Sequence, residues 1–448
     1  MTVRQYCALW LLLLSTTADI FFSTDSAGAN KPNIVLIMAD DLGYGDLSCY
    51  GGWINTPHID AIAKRGILFT DYHSNGSICS PTRAALMTGR YQQRAGIPGV
   101  VYANPKNPAH YHGLQLQETT IAECFRQQRY ATAIFGKWHL GYFRKYNPTL
   151  QGFNKFVGYV SGNIDFRSHV DGAGVFDWWH DLQPSNEEGY TTHLITSHAV
   201  EFIHANKHRP FFLYVPHEAP HYPYQGPADP AHRTVNGEFN NKGTRTDTKE
   251  AYREMVGEMD KGVGAIIAAL SEASIVDNTI VIFCSDNGAT TLGSNGMLRG
   301  YKGSNFEGGH RVPCVIQWPG HIAADQQSTQ LMASMDFLPT IFGLADLKLP
   351  KRIRLDGVDL SGQILDPQHP VERTLVWNGT TIRRGRWKYM ASQKGLTADS
   401  LFDLTAETDE TTNLIEQYPS IAKAFRNELN LWITDMKKTE MPQPTGPK

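Results

Sequence analysis

The clearest signal along the chain is a run of apolar residues with no polar interruption, Asn33–Ala39 (NIVLIMA), which predicts a strand buried on both faces. Ala131–Phe135, Phe211–Val215 and Thr279–Cys284 repeat the pattern. The stretches between them carry helical spacing: Thr119–Tyr130, with Ile121, Cys124 and Phe125 on one side, then Thr191–Ala205, then Asp247–Ala273. Strands alternating with helices predict an α/β fold with a large, mostly parallel sheet flanked by helices. From about residue 352 the texture changes. Thr374–Trp377, Thr381–Arg384 and Trp387–Met390 read as short strands joined by turns, and Pro419–Met436 reads as a closing helix. The expected organisation is therefore a catalytic domain over 30–351 and a small C-terminal antiparallel-sheet subdomain over 352–448.

Residues 1–29 do not fit this scheme. A positive start at Arg4, an apolar run from Ala8 to Leu14 and the small-x-small triplet Ala27-Gly28-Ala29 predict a signal peptide cut before Asn30. The implied location is outside the cytoplasm: secreted, periplasmic or lysosomal. No other stretch is long enough to cross a bilayer, so stable membrane insertion is not expected.

Composition narrows the function classes. At 448 residues, 41% hydrophobic and 19% charged, the chain has the make-up of an ordinary folded protein. A formal charge of −3 and the lack of a long basic run argue against a nucleic-acid partner. Cys7, Cys49, Cys79, Cys124, Cys284 and Cys314 are scattered, with no paired spacing that would hold zinc.

The residues that follow the four strands carry the chemistry. They are Asp40-Asp41, then Lys137-Trp138-His139, then His217 and His221, then Asp286-Asn287. Ligands of open α/β sheets sit beyond the carboxyl ends of the strands, so four strand ends deliver these groups to one edge. The oxygen-only set Asp40, Asp41, Asp286 and Asn287 suits Ca²⁺ or Mg²⁺ rather than zinc. Lys137 and His139, two apart in an extended chain, are expected to face the same way. Pro81 marks a helix start and places Cys79 at the helix N-terminus. A reactive thiolate of lowered pKa and a buried structural cysteine are both open readings of Cys79.

Cys79-Ser80-Pro81-Thr82-Arg83, continued by Thr88-Gly89-Arg90, resembles the signature of the formylglycine-dependent sulfatases, members of the alkaline phosphatase-like superfamily. Gly136-Lys137-Trp138-His139-Leu140-Gly141 and the segment from Arg299 to Arg311 resemble further motifs of that family. The resemblance spans Asn33 to Arg311 and is weaker beyond. Its spacing is similar to the branch of N-acetylgalactosamine-6-sulfatases and bacterial polysaccharide sulfatases.

The resemblance implies that Cys79 is oxidised to formylglycine by a formylglycine-generating or other sulfatase-maturing enzyme, with Arg83 supporting it. It implies one divalent cation, Ca²⁺ favoured over Mg²⁺, on Asp40, Asp41, Asp286 and Asn287. His139 is then a base, and Lys137, His221 and Lys302 handle sulfate. Ser161 and His217 are further candidate substrate contacts, while Glu307 and Arg311 read as structural supports. The implied function is hydrolysis of sulfate esters, on a sulfated saccharide. The alternative is a phosphonate or phosphate ester hydrolase of the same superfamily. Trp178-Trp179 is a candidate sugar-stacking pair. Asn75 and Asn378 fit the glycosylation pattern, with Asn75 too close to Cys79 to carry a glycan.

Overall fold

The protein is described from a computed structural model, over residues 31–393, 395–444 and 446. The expected signal peptide lies outside the described residues. The four predicted strands occur as Asn33–Ala39, Ala131–Lys137, Phe211–Pro216 and Thr279–Ser285. They are neighbours in one ten-stranded sheet, where 279–285, 33–39, 211–216 and 131–137 lie side by side and parallel.

The apolar runs are continuous because each strand is buried twice. Ile34, Leu36 and Met38 enter one core with Phe125, Phe212 and Phe342, and Val35, Ile37 and Ala39 enter the other with Met255, Val263 and Ile203. Helices Thr191–Asn206 and Thr248–Glu272 cover the second face. Cys79–Thr88, Ile121–Gln127 and Phe337–Leu344 cover the first.

A fifth parallel strand, Lys155–Tyr159, pairs with 131–137. Its pattern is short and broken by Gly158, which faces Gly136 across the ladder. A side chain is impossible there, since a Cβ on Gly158 would lie 2.1 Å from the Gly136 carbonyl oxygen. Antiparallel Cys314–Gln317 lies beside 279–285 and is followed by Ile67–Phe69 and, at that edge, Gln326–Ser328, while a hairpin of Trp179–His180 and Gln183–Pro184 forms the opposite edge.

A second, antiparallel sheet contains the three predicted strands and Ser400–Asp403, and Pro419–Thr439 packs Ala422, Phe425 and Leu429 against it.

Candidate active site

Register aligns the strand ends. Met38 pairs with Pro216, and Ala39 with Ser285. The next residues keep the ladder going, with His217 N–H donating to Met38 C=O at 2.9 Å and Asp286 N–H to Ala39 C=O at 3.2 Å. Beyond this point side chains can converge, because Asp41 takes a left-handed backbone with φ of 68°. His139 does the same at φ of 57°, so it meets Lys137 through a turn rather than through the expected extended alternation.

Three buried carboxylates meet three cations. Arg83 donates to Asp286 Oδ2 from Nη2 at 2.8 Å and from Nε at 3.2 Å, and its Nη2 lies 3.6 Å from Asp40. Lys137 Nζ donates to Asp40 Oδ2. Lys302 Nζ lies 2.6 Å from Asp41 Oδ1. Asn287 Nδ2 donates to Asp41 Oδ1 at 2.7 Å, while its Oδ1 is buried without a partner. Burial works against a charge on Asp40, but Lys137, His221, Arg83 and Lys302 overcome it and hold the carboxyl well below the ordinary range. Burial and the neighbouring Asp40 charge push Asp286 up to about 7.

Cys79 opens its helix inside this cluster, 2% exposed. Its thiol donates to Asp40 Oδ1 at 3.3 Å, and Lys302 Nζ lies 3.4 Å from Sγ. The thiolate reading does not hold for this geometry. Burial and the Asp40 carboxylate push the thiol pKa far up, and Lys137, Lys302 and the helix terminus do not compensate.

The two histidines are tautomerically defined by carbonyls, which only accept. His139 Nε2 donates to Val101 C=O at 2.9 Å, leaving Nδ1 as a buried lone pair without a partner. Burial, then Lys137 and Arg83, hold His139 well below the ordinary pKa, so it is neutral. His221 Nδ1 donates to Tyr222 C=O at 2.6 Å, its Nε2 lies 3.7 Å from Asp41, and burial pushes its pKa down to about 4. Lys302 is held charged: burial opposes this, but Asp41 and Asp40 prevail.

Cys79, His139, His221 and Lys302 face one cleft of about 390 Å³. Its outer wall consists of Tyr102, Tyr142 and Tyr222 with Asn104, Asn163 and Asn241, residues that motif reading did not single out. Tyr102 and Asn104 share one loop, Tyr222 follows His221, and Tyr142, Asn163 and Asn241 come from three other segments. A larger hollow of about 700 Å³ near Arg65 and Pro319 contains none of the candidate residues.

Two candidates join neither the cleft wall nor the charged cluster beneath it. Ser161 is fully buried, its hydroxyl donating to Asn163 C=O at 3.1 Å. His217 is fully buried with neither ring nitrogen partnered. The Trp178-Trp179 pair is not a sugar platform either. Trp178 is fully buried and stacked on His169, and Trp179 donates to Asp177 at 2.6 Å. Glu307 and Arg311 sit in a second buried ionic network with Asp71, His73, Arg383 and Lys388.

Comparison with known proteins matches this arrangement. The profile of the family described as Sulfatase fits residues 32–347. The chain belongs to the sulfatase family. It is 34% identical to bovine arylsulfatase A, over 93% of this chain and 88% of that protein. It is 35% identical to mouse N-acetylgalactosamine-6-sulfatase, over 80% of this chain and 71% of that one. Among solved structures, Ps i-CgsB in complex with k-i-k-neocarrahexaose superposes with a TM-score of 0.78 at 28% identity, covering 90% of this chain and 93% of that one. The sulfatase is thus a sulfuric ester hydrolase of the alkaline phosphatase-like fold. These relatives lend nothing to the phosphate or phosphonate alternative.

Proposed function

We propose that this sulfatase releases inorganic sulfate from a sulfated saccharide, with residue 79 acting in its formylglycine form. The observation that carries this reading is the position of Cys79 Sγ, at a helix N-terminus, between Asp40 and Lys302, on the wall of the cleft. The outer wall supports the saccharide. Tyrosine faces suit sugar rings and amides suit hydroxyls, whereas the inner end concentrates the charge.

Asp40, Asp41, Asp286 and Asn287 would hold one divalent cation. The fit is good: all four are buried, the donors are oxygens, and Asn287 Oδ1 has no partner. Ca²⁺ is favoured over Mg²⁺ because it accepts irregular sets of carboxylate donors without near-ideal octahedral geometry. When bound, the cation polarises the sulfate group as a Lewis acid. Three carboxylates already balance Arg83, Lys137 and Lys302, so a dication and a sulfate dianion can enter together without upsetting local neutrality.

The formylglycine form supplies a hydrated-aldehyde oxygen nucleophile, which releases sulfate as the aldehyde returns. The other residues prepare for that. His139 Nδ1 is the open lone pair that accepts a proton, and Lys137 and Lys302 neutralise sulfate oxygens. Neutral His221 carries no proton on Nε2, while Lys302 Nζ carries protons beside the cleft. That contrast favours Lys302 as the donor to the departing alcohol.

The same reading has the chain exported and matured by a formylglycine-generating or related enzyme. No helix among the described residues is long and apolar enough to cross a membrane. Peptide mass analysis of residue 79, from protein made with a maturing enzyme, tests the assignment. An aldehyde at 79 that tracks with specific activity supports it. Full activity from protein carrying only cysteine at 79 refutes it.

A further inference from the structure

The edge hairpin of the main sheet carries a group of metal-ligating side chains that sulfate hydrolysis does not use. His180 ends the strand Trp179–His180, Glu187 follows in the next connection, and His198 lies on helix Thr191–Asn206. His180 Nε2 lies 2.9 Å from Glu187 Oε2, and His198 Nε2 lies 2.9 Å from Oε1 and 3.1 Å from Oε2. The three ligand atoms are all within 4.8 Å of one another. We propose that His180, Glu187 and His198 form a second metal site, for Zn²⁺ or a similar borderline divalent cation, distinct in donor chemistry from the oxygen site beside Cys79.

The donor set is the first reason. Two imidazoles and one carboxylate match zinc, with a fourth position left to water. Metal bonds of about 2.0–2.1 Å in a tetrahedron put donor atoms roughly 3.3 Å apart, within reach of small side-chain rotations here. The surroundings are the second. Trp178 Nε1 donates to Glu187 Oε2 at 2.9 Å and fixes the carboxylate from behind. His198 presents its other nitrogen to Glu201, 3.9 Å away, and its ring lies against Phe135. The Trp178 hydrogen bond and the packing on Phe135 hold the ligating groups in place. Solvent access is the third. The side chains of His180, Glu187 and His198 are 35%, 25% and 17% exposed, so an ion can reach them.

The second buried His–Glu cluster makes the contrast. His73, Glu307 and His310 are also close, but Lys388 Nζ lies 2.9 Å from Glu307 and Arg383 Nη1 lies 3.3 Å from it. A dication there would meet two buried positive charges. Among the described residues, no lysine or arginine pairs with Glu187. In the zinc-bound form each ligating Nε2 carries no proton, and the ring keeps its one N–H on Nδ1. Bound zinc ties the edge hairpin to the helix through three separate elements, and it stabilises the folded chain by mass action.

The test is equilibrium dialysis of the whole mature protein against Zn²⁺ with saturating Ca²⁺, which keeps the oxygen site filled. Bound metal is counted by mass spectrometry. The wild type should hold one zinc that the double variant His180→Ala/His198→Ala loses, or binds at least about a hundredfold more weakly. Zn²⁺ should raise the Tm of the wild type and not that of the variant. Sulfate release by the variant should match the wild type, which also certifies its fold. Should the double variant misfold, Glu187→Gln and the visible absorption of Co²⁺-loaded wild type decide instead. Equal zinc binding by wild type and variant would overturn the proposal. So would a wild type with no bound zinc, no Tm rise and no cobalt bands; the cluster is then only a set of histidine–carboxylate hydrogen bonds.

Discussion

The sulfatase buries two ionic clusters, and they differ in what is left open. Around Cys79, three carboxylates and three cations leave Asn287 Oδ1 unpartnered within the cluster and His139 Nδ1 unpartnered on the cleft wall. Around Glu307, charge is closed on itself. Arg383 holds Asp71 through two bonds of 2.7 Å, Lys388 lies 2.9 Å from Glu307 and 2.8 Å from Glu410, and His73 bonds His310 at 2.9 Å. The second cluster ties the antiparallel sheet to the loops that flank the first. Ser74 N–H donates to His310 C=O at 2.8 Å, and Trp377 Nε1 donates to Ser74 C=O at 2.9 Å. Buried charge alone therefore does not mark an active site. Unspent donor and acceptor capacity facing a cleft does.

The largest effect separating the clusters should come from chelation. Removing divalent metal should lower sulfate release by about a thousandfold or more, the size of a lost Lewis acid, and Ca²⁺ should restore it. Chelator-resistant turnover would remove the oxygen site from the reaction.

Next, two lysines of equal charge should fail differently. Lys302→Met should cut kcat by about 100–1000-fold with only a small loss of stability. Lys388→Met leaves Glu410 buried without its cation and Glu307 with only Arg383 and Arg311, and should cost about 3–5 kcal/mol of unfolding free energy. Paired kinetics and denaturant titrations measure both. Matching profiles for the two variants would erase the distinction.

The smallest effect is in pH. Burial holds His73 and His310 below the ordinary histidine pKa, so the unfolded chain binds those protons more tightly. Their contribution to stability is complete above about pH 6.5 and is lost as pH falls below it. Glu410 opposes them. Burial and Glu307 push it up to about 7, so its contribution is lost as pH rises toward that value. Tm should fall from pH 7 to pH 5, and His73→Gln should flatten the slope. A steeper slope in that variant would reverse the sign assigned to His73.

Much of this was legible in the sequence, for identifiable reasons. Asn33–Ala39 is apolar without interruption because both faces are buried, so its end at Asp40 could be located to the residue. The other strand ends followed, and register then brought four separate segments together. The Lys155–Tyr159 strand was not legible, because the Gly136–Gly158 contact demands glycine where a strand signal would need a side chain. Side-chain aim was less legible than position. The Ser161 hydroxyl is taken by Asn163 C=O and the Trp178 indole by Glu187, hydrogen bonds that no spacing rule encodes. The tyrosines and asparagines of the outer wall come from loops whose convergence is a property of the fold alone.

The proposal to test first is that residue 79 performs sulfate ester hydrolysis at this cluster. Sulfate release, measured by ion chromatography from a panel of sulfated saccharides, tests it most directly, comparing matured wild type with Cys79→Ala and including a matched phosphate ester. Release is expected from at least one sulfated saccharide, with a loss of at least about 10⁴-fold in a variant that remains folded and far slower phosphate release. Substantial sulfate release by Cys79→Ala, or a preference for the phosphate ester, would contradict it.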